Sequence, residues 1–477
     1  MKLMVPALLD VKFRKAVICS AALAGGLIVG TCFDAKPVLG QTLNESLAAA
    51  YMNNPELLSV RAATREADEA VPQALANWRP NVELSGNIGR SYSHLNTRLP
   101  DRDQMRTPRK SSLDITQPLF RGFRTIASVN GAESDVLAQR AALLAKEQDI
   151  LLAAVSAYIS VVRDQAELNL NINNEQVLRR QLEATQDRFR VGELTRTDVS
   201  QAEARLSGAT ADRIQAEGDL EKSRANYLNI IGEAPKNLSQ PAALSDLPAS
   251  LEDALKSALS DHPDMVAKTH GEKAARENIK SVRGELLPTL NLVGTVNRNW
   301  ESTDNDSQIT NGSVTLNLTV PLYQKGSVMS RLRAAKQDAG QSRIDLEDQR
   351  RDTTEATTKA WQSLQTAQAR IKSFSAQIKA AEIALEGVQR EASVGSRTVL
   401  DVLDAEQELL DAKVNLVRAQ RDEVVASYEL KEAVGGLTAR KLKLAVDYYD
   451  PTRHYNEVRG KWFGYSSSSE NPLVTKK

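Results

Sequence analysis

Apolar residues recur every seven positions over two long stretches of the chain. The series is Leu137, Leu144, Leu151 and Tyr158 in the first stretch and Ile371, Ile378 and Leu385 in the second. A period of seven is the spacing of coiled-coil helices, and proline is absent from both stretches. The pattern predicts long helices at about 122–191 and 326–392. At about 1.5 Å per residue, each would be a rod of roughly 100 Å.

Each long helix follows two segments in which apolar and polar residues alternate. In the clearest segment, Val314, Leu316, Leu318 and Val320 are interleaved with serine, threonine and asparagine. Alternation indicates strands. The four predicted strands cover about 82–93, 111–119, 289–300 and 313–321. Alternation over about ten residues is typical of transmembrane β-strands, and an ordinary surface hairpin is the alternative.

The two sets of elements belong to an internal duplication of about 200 residues. Val191, Gly192, Thr195, Asp198, Val199, Ala202, Glu203 and Leu206 recur 203 positions later as Val394, Gly395, Thr398, Asp401, Val402, Ala405, Glu406 and Leu409. We place the first repeat at 41–240, the second at 241–440 and a partly disordered tail at 441–477. In each repeat a glycine ends the long helix, and a return helix follows, at about 198–231 or 400–434. An opening helix, about 56–79 in the first repeat, precedes the strands.

Charge and composition exclude some classes of protein. Lysine plus arginine and aspartate plus glutamate each total 61 in 477 residues, so the net charge is zero. A nucleic-acid binder would need a basic face. No phosphate-binding loop, zinc-protease or hydrolase motif is present, and the four histidines lack the spacing of zinc ligands. We therefore expect neither an enzyme nor a cofactor or metal site.

The first 40 residues are predicted to be a secretory signal peptide. A basic start precedes an apolar run at 16–30, and Val38 and Gly40 occupy the −3 and −1 positions of a cleavage site before Gln41. A retained membrane anchor is the alternative, but the run is shorter than the ~20 residues of a spanning helix. The chain is thus expected to be exported. If it enters a membrane, it must do so through its strands.

Four strands per chain are too few to close a barrel, because the smallest barrels have about eight. An open sheet edge is not tolerated in lipid. The chain is therefore expected to form oligomers. Three copies would supply twelve strands and a wall of twelve helices.

This organisation resembles the TolC family of outer-membrane efflux and secretion channels, over about 41–440. The most specific motif is VGSRTVLDVLD at 394–404, with its degenerate twin VGELTRTDV at 191–199. The resemblance implies a mainly α-helical fold with a membrane β-barrel. Specifically, a homotrimer would form a twelve-stranded β-barrel in outer-membrane lipid that continues into a twelve-helix coiled-coil α-barrel in the periplasm. It also implies two partners, a periplasmic adaptor (membrane fusion) protein and an inner-membrane ABC or RND-type pump, for a Gram-negative efflux or type I secretion duct.

The resemblance also assigns roles to residues. Asp401 and Asp404 would line the periplasmic constriction, while Arg397, Thr197 and Asp198 would join neighbouring helices in the closed gate. The adaptor-docking tips would comprise Val191, Gly192, Leu194, Val394 and Gly395. The plain alternatives are a solvated helix face for the aspartates and a simple helix terminus for the glycines. Ala392 departs from the family, because the best-known member has a tyrosine there.

Two further possibilities stay open from the sequence. Tyr92 and Trp300 lie late in predicted strands and could belong to an aromatic girdle, although a lone aromatic residue in a hairpin needs no such role. A periplasmic adaptor or a structural coiled-coil protein of the envelope is the competing function. An adaptor would need a compact β domain between its helical arms, and a coiled-coil protein would leave the strands unexplained.

Overall fold

The computed structural model describes residues 41–95 and 102–465. The predicted signal peptide and the final residues 466–477 lie outside the described residues. The first repeat contains α1 (Leu43–Asn53), α2 (Pro55–Asp68), α3 (Ala70–Ala76), β1 (Asn81–Ile88), β2 (Ser91–Leu95), β3 (Arg102–Arg106), β4 (Arg109–Arg121), α4 (Arg124–Arg190) and α5 (Arg196–Ile231). The second contains α6 (Leu251–Asp261), α7 (Pro263–Gly284), β5 (Thr289–Trp300), β6 (Gln308–Thr319), α8 (Ser327–Ser393) and α9 (Val399–Ala433), and α10 (Thr452–Val458) follows.

The long helices have the extent that their heptad pattern suggests. Both α4 and α8 contain 67 residues, which at 1.5 Å per residue corresponds to roughly 100 Å. Their return helices α5 and α9 contain 36 and 35 residues and pack back along them. Helix α7 packs on α4 and α8 beyond the end of α9. Within the described ranges, no helix combines the length and apolar character needed to cross a membrane.

The strands form a four-stranded antiparallel sheet in the order β1-β4-β5-β6. The two repeats meet in its centre, where β4 pairs with β5 from Arg109 opposite Trp300 to Arg121 opposite Thr289. A bulge interrupts this ladder between Pro118 and Phe120, because proline has no N–H to donate. The single strand expected over 82–93 is instead divided into β1 and β2, and β2 pairs with β3 in a separate two-stranded sheet.

The largest core cluster lies around the middle of α4. Tyr158 and Leu151 of α4, Leu47 of α1 and Tyr227 of α5 are all fully buried there. The Ser46 and Tyr227 hydroxyls are 2.8 Å apart within the cluster. The segment after α9 covers the same region, with Leu437 fully buried. This core ties α1, α5 and the C-terminal segment to one level of the long helix.

The opening helix of the first repeat differs from the expected single helix over 56–79. It is divided into α2 and α3, with Glu69 between them. Pro72 explains the break, because its ring nitrogen cannot donate to the Asp68 carbonyl four residues earlier. The equivalent position of the second repeat, 208 residues later, is Lys280, and α7 runs through it without interruption.

Candidate functional site at the paired helix tips

The predicted site residues lie at the two turns that end the long helices. Gly192 follows α4 with φ of 83°, and Gly395 follows α8 with φ of 80°. A side chain would meet no atom within 4 Å at either position, so glycine is required there by the left-handed backbone and not by crowding. The following amides close each turn: Glu193 N donates to Arg188 O (2.9 Å) and Ser396 N to Glu391 O (3.0 Å).

Each return helix then begins with the same capping box. The Asp401 amide donates to the Thr398 hydroxyl oxygen (3.2 Å), and Asp401 Oδ2 accepts from the Thr398 amide (2.9 Å). Thr195 and Asp198 make the equivalent pair at distances of 3.3 and 2.9 Å. These reciprocal bonds satisfy amides that a helix start leaves unpaired. Asp198 and Asp401 therefore have a structural role that the sequence interpretation did not assign.

The capping bonds also set the charge of Asp401. Hydrogen bonds from the Thr398 backbone and side chain hold the pKa of Asp401 below its ordinary value, because they stabilise the ionised carboxylate. The carboxylate is therefore ionised at neutral pH. It can contribute negative charge to its surroundings, although one of its oxygens is already engaged in the cap.

Asp404 and Arg397 make ion pairs within the chain. Asp404 Oδ1 lies 2.5 Å from Arg205 Nη2 on α5, so this pair joins the two repeats. Arg397 Nε lies 2.9 Å from Glu391 Oε2 and closes the turn to which it belongs. Thr197 is exposed in the first turn of α5. Within one chain, the structure thus brings Asp404 to the other repeat but does not bring Arg397 to Thr197 or Asp198.

The two tips are held together by a small apolar cluster. Val399 and Leu403 at the start of α9 pack against Leu178 of α4 and Ala209 of α5, and all four are buried. Leu194, one of the expected docking residues, packs partly buried against this cluster. By contrast, Val191 and Val394 are 72% and 79% exposed at the extreme ends of the turns. The tips therefore have an apolar interior, and both valines present apolar side chains to solvent.

Sequence reasoning missed Glu406, which is 9% exposed on α9 two residues after Asp404. Its Oε2 atom has no hydrogen-bond partner among the described residues. Burial raises the pKa of Glu406, since a low-dielectric surrounding disfavours the charged form. The spacing from Val399 and Leu403 to Glu406, four and then three residues, places all three on one helix face and could have identified it.

The two girdle candidates lie in different sheets. Trp300 ends β5 in the four-stranded sheet, with the Arg298 guanidinium 5.2 Å from its ring centre. Tyr92 lies in β2, and its hydroxyl donates to Asp103 Oδ1 at 3.0 Å. A shared girdle for these two residues stays a prediction. In the described part of the chain, no group of three or more His, Cys, Asp or Glu side chains has the geometry to hold a metal ion.

A family model described as outer membrane efflux protein matches the chain twice, over residues 47–233 and 254–436. The chain belongs to the outer membrane efflux protein family. Outer membrane efflux protein BepC of Brucella suis biovar 1 (strain 1330) is 37% identical over 442 residues, which cover 92% of this chain and 95% of BepC. Outer membrane protein TolC of Vibrio cholerae is 29% identical, covering 84% of this chain and 92% of TolC.

Solved structures of outer membrane channels have the same fold. The Campylobacter jejuni CmeC outer membrane channel superposes with a TM-score of 0.76 at 16% identity, covering 88% of this chain and 89% of CmeC. The resemblance to TolC, the duplicated mainly helical fold, the outer-membrane location and the efflux function expected from the sequence are therefore confirmed. Because the family consists of channel proteins, the competing adaptor and structural coiled-coil hypotheses are not supported.

Proposed function

We propose that three copies of this protein form one exit duct across the outer membrane, serving a tripartite efflux or type I secretion system. The observation that carries the proposal is the four-stranded sheet. Its two edge strands, β1 and β6, are exposed along their whole length. Unpaired edge groups of this kind are unstable in lipid. Pairing β6 of one copy with β1 of the next would satisfy both edges and close a twelve-stranded sheet after three chains.

The side chains of the edge strands support this arrangement. Leu84 and Ile88 of β1 are 75% and 73% exposed, and Val314 and Leu318 of β6 are 76% and 65% exposed. Each pair is separated by an even number of positions, so its members share one face of the sheet. An exposed apolar face on a sheet of an outer-membrane protein is suited to contact with lipid tails.

We place the adaptor at the helix tips, as the family resemblance implies. Val191 and Val394 end the two turns as exposed apolar side chains, and the glycines beside them fix the backbone that presents them. An adaptor that contacts both turns would couple the duct to an inner-membrane pump. Gly395→Trp tests this assignment: trimers that still assemble but fail to export would support it, whereas normal export would contradict it.

We place the gate at the same tips. In a trimer, Asp401 and Asp404 would form two rings of three carboxylates, and negative rings in a narrow pore favour cations. Arg397, Thr197 and Asp198 would then meet across neighbouring chains. Arg397 is half exposed at the turn surface, where it is paired with Glu391 of its own chain.

The trimer is tested by native mass and by conductance in planar bilayers. A mass of three chains with discrete single-channel currents is expected, and a stable monomer without conductance would contradict the proposal.

For the gate, Asp401→Asn combined with Asp404→Asn removes both charges while leaving an acceptor oxygen in the cap. Cation selectivity and block by a trivalent cation should both weaken. The control Asp447→Asn changes an exposed carboxylate after α9 and should leave both unchanged.

A further inference from the structure

The backbone of Gln41 is fixed to the fold, although it precedes the first helix. Its carbonyl oxygen accepts a hydrogen bond from the Tyr158 hydroxyl at 2.7 Å and another from the Ser239 amide at 3.4 Å. Tyr158 is fully buried in the core around α4. Residue 41 is thereby held against α4 and against the loop 232–250 that follows α5.

The backbone nitrogen and the side-chain oxygen of Gln41 both contact Lys236. The Gln41 backbone N–H donates to the Lys236 carbonyl oxygen at 3.3 Å, and the Lys236 N–H donates to Gln41 Oε1, also at 3.3 Å. Two atoms of Gln41 therefore meet the peptide groups of a single residue. The two groups that a five-membered ring would join are therefore both held at one residue of the loop, which restricts their relative positions.

We propose that Gln41 becomes the amino-terminal residue of the mature chain and cyclises to pyroglutamate in this setting. An outer-membrane protein must be exported, and the proposal rests on the prediction that signal cleavage occurs before Gln41. Cleavage turns the Gln41 backbone nitrogen into a free amine. Its lone pair attacks Cδ of the side chain, the N–Cδ bond forms, the Cδ–Nε2 bond breaks, and a proton from the amine leaves with Nε2 as ammonia. Nothing is oxidised or reduced.

The surroundings of Gln41 suit both the reaction and its product. The Lys236 N–H points at Oε1, the atom on which negative charge develops as the amine adds to Cδ. In the lactam, N–H and C=O lie side by side, so the ring can keep both hydrogen bonds to Lys236. Among the described residues, none accepts a hydrogen bond from Nε2, so loss of ammonia removes no contact of the fold. The product is an uncharged chain end that aminopeptidases do not cleave.

The first experiment is peptide mass analysis of mature protein purified from outer membranes. The amino-terminal peptide should begin at residue 41 and be lighter than its sequence predicts by one ammonia. Edman sequencing of the unfolded chain should be blocked until a pyroglutamyl aminopeptidase exposes Thr42. An open glutamine, or a mature chain that begins elsewhere, would overturn the proposal. Gln41→Asn is the control, because its shorter side chain would need a four-membered ring and should stay open.

A second experiment tests the part played by the fold. Lys236→Pro removes the N–H that faces Oε1, whereas Lys236→Ala keeps it. Mass analysis of pulse-labelled, newly exported protein would follow ring closure in both variants, after thermal unfolding has verified that both are folded. Closure should be on the order of 10-fold slower in Lys236→Pro than in Lys236→Ala, in line with the loss of one donor to the developing charge. Equal rates would show that this geometry does not promote closure.

Discussion

The turn between α4 and α5 and the turn between α8 and α9 share one backbone conformation. Each has a left-handed glycine, a closing amide bond and a Thr–Asp capping box. Their side chains differ in a systematic way. Val399 and Leu403 of the second turn are buried, whereas the residues 203 positions earlier, Arg196 and Ser200, are exposed. Duplication preserved the turn, while the surfaces on either side of it diverged.

The ion pairs that brace the two turns are reversed in order. In the first turn Arg188 precedes Glu193, with Nε and Oε2 3.1 Å apart. In the second turn Glu391 precedes Arg397, with Nε and Oε2 2.9 Å apart. Both pairs link the last helical turn to the residues after the glycine. A local cap with local ion pairs therefore specifies each turn, while the apolar contacts of one turn determine how the two repeats meet.

The largest expected effect comes from the buried side of the second turn. Leu403→Ala removes a side chain that is 2% exposed between the two repeats, and such a cavity costs about 2–5 kcal/mol. Ser200→Ala, at the equivalent exposed position of the first repeat, should have little effect. Chemical denaturation followed by circular dichroism would measure the difference. Similar losses in the two variants would mean that the tips are not held together by this cluster.

The return helices also differ at their far ends. Glu432, near the end of α9, has a pKa raised to about 7 by burial and by the nearby Asp149, Glu429 and Asp264 carboxylates. The residue 203 positions earlier is Asn229, which is neutral. Glu432 lines a cavity together with Asp149 of α4 and Asp264 of α7, whereas Asn229 is exposed on α5.

Glu432→Gln should therefore stabilise the protein in alkaline solution. The folded chain holds this proton more tightly than the unfolded chain, so wild-type stability falls as pH rises from about 4.5 to about 7. At pH ~8 the variant should gain up to roughly 3 kcal/mol, and at pH ~4.5 it should match the wild type. Asn229→Asp, which introduces a charge at the first-repeat position, serves as the reverse control. Parallel stability curves for Glu432→Gln and wild type would contradict the assigned pKa.

The two caps should contribute equally. Thr195→Ala and Thr398→Ala each remove a side-chain acceptor for an amide at a helix start, which costs about 1 kcal/mol. Thr398→Ala should also raise the pKa of Asp401, because it removes one of the hydrogen bonds that lower it. Denaturation midpoints would test the first effect and NMR titration of the Asp401 carboxyl the second. Clearly unequal losses would show that the two caps are coupled differently to their surroundings.

Most of the fold could be predicted from local sequence patterns, because helices, turns and strands depend on neighbours within a few residues. The heptads, the glycines that end each long helix and the four strands of the larger sheet could be predicted from the sequence, whereas the separate pair β2 and β3 could not. The break at Glu69 was not predicted, because the lost donor at Pro72 was not considered. The capping role of Asp198 and Asp401 could have been predicted from the Thr-x-x-Asp spacing, but only gate roles were assigned to these residues.

Contacts between the two repeats could not be predicted from these local patterns. Nothing local relates Arg205 to Asp404, which are 199 positions apart, or Val399 to Leu178. Heptad spacing identifies the face of a helix that is buried but not its partner helix. Likewise, Glu406 lies at an apolar position of α9, and its burial follows from the partner surface that α9 meets.

The smallest expected effect concerns the ion pair that joins the repeats on their surface. Arg205 and Asp404 are 41% and 56% exposed, and exposed pairs contribute about 0–1 kcal/mol. In a double-mutant cycle of Arg205→Gln and Asp404→Asn, the coupling free energy should therefore be below ~1 kcal/mol and should shrink further in high salt. Arg188→Gln with Glu193→Gln provides a matched cycle within a single turn. If the proposed gate is correct, Arg205→Gln should change channel selectivity more than stability, because it leaves the Asp404 charge without its counter-ion. A coupling of several kcal/mol would instead mean that the pair is buried in the assembled protein, and the tips of neighbouring chains would then have to cover it.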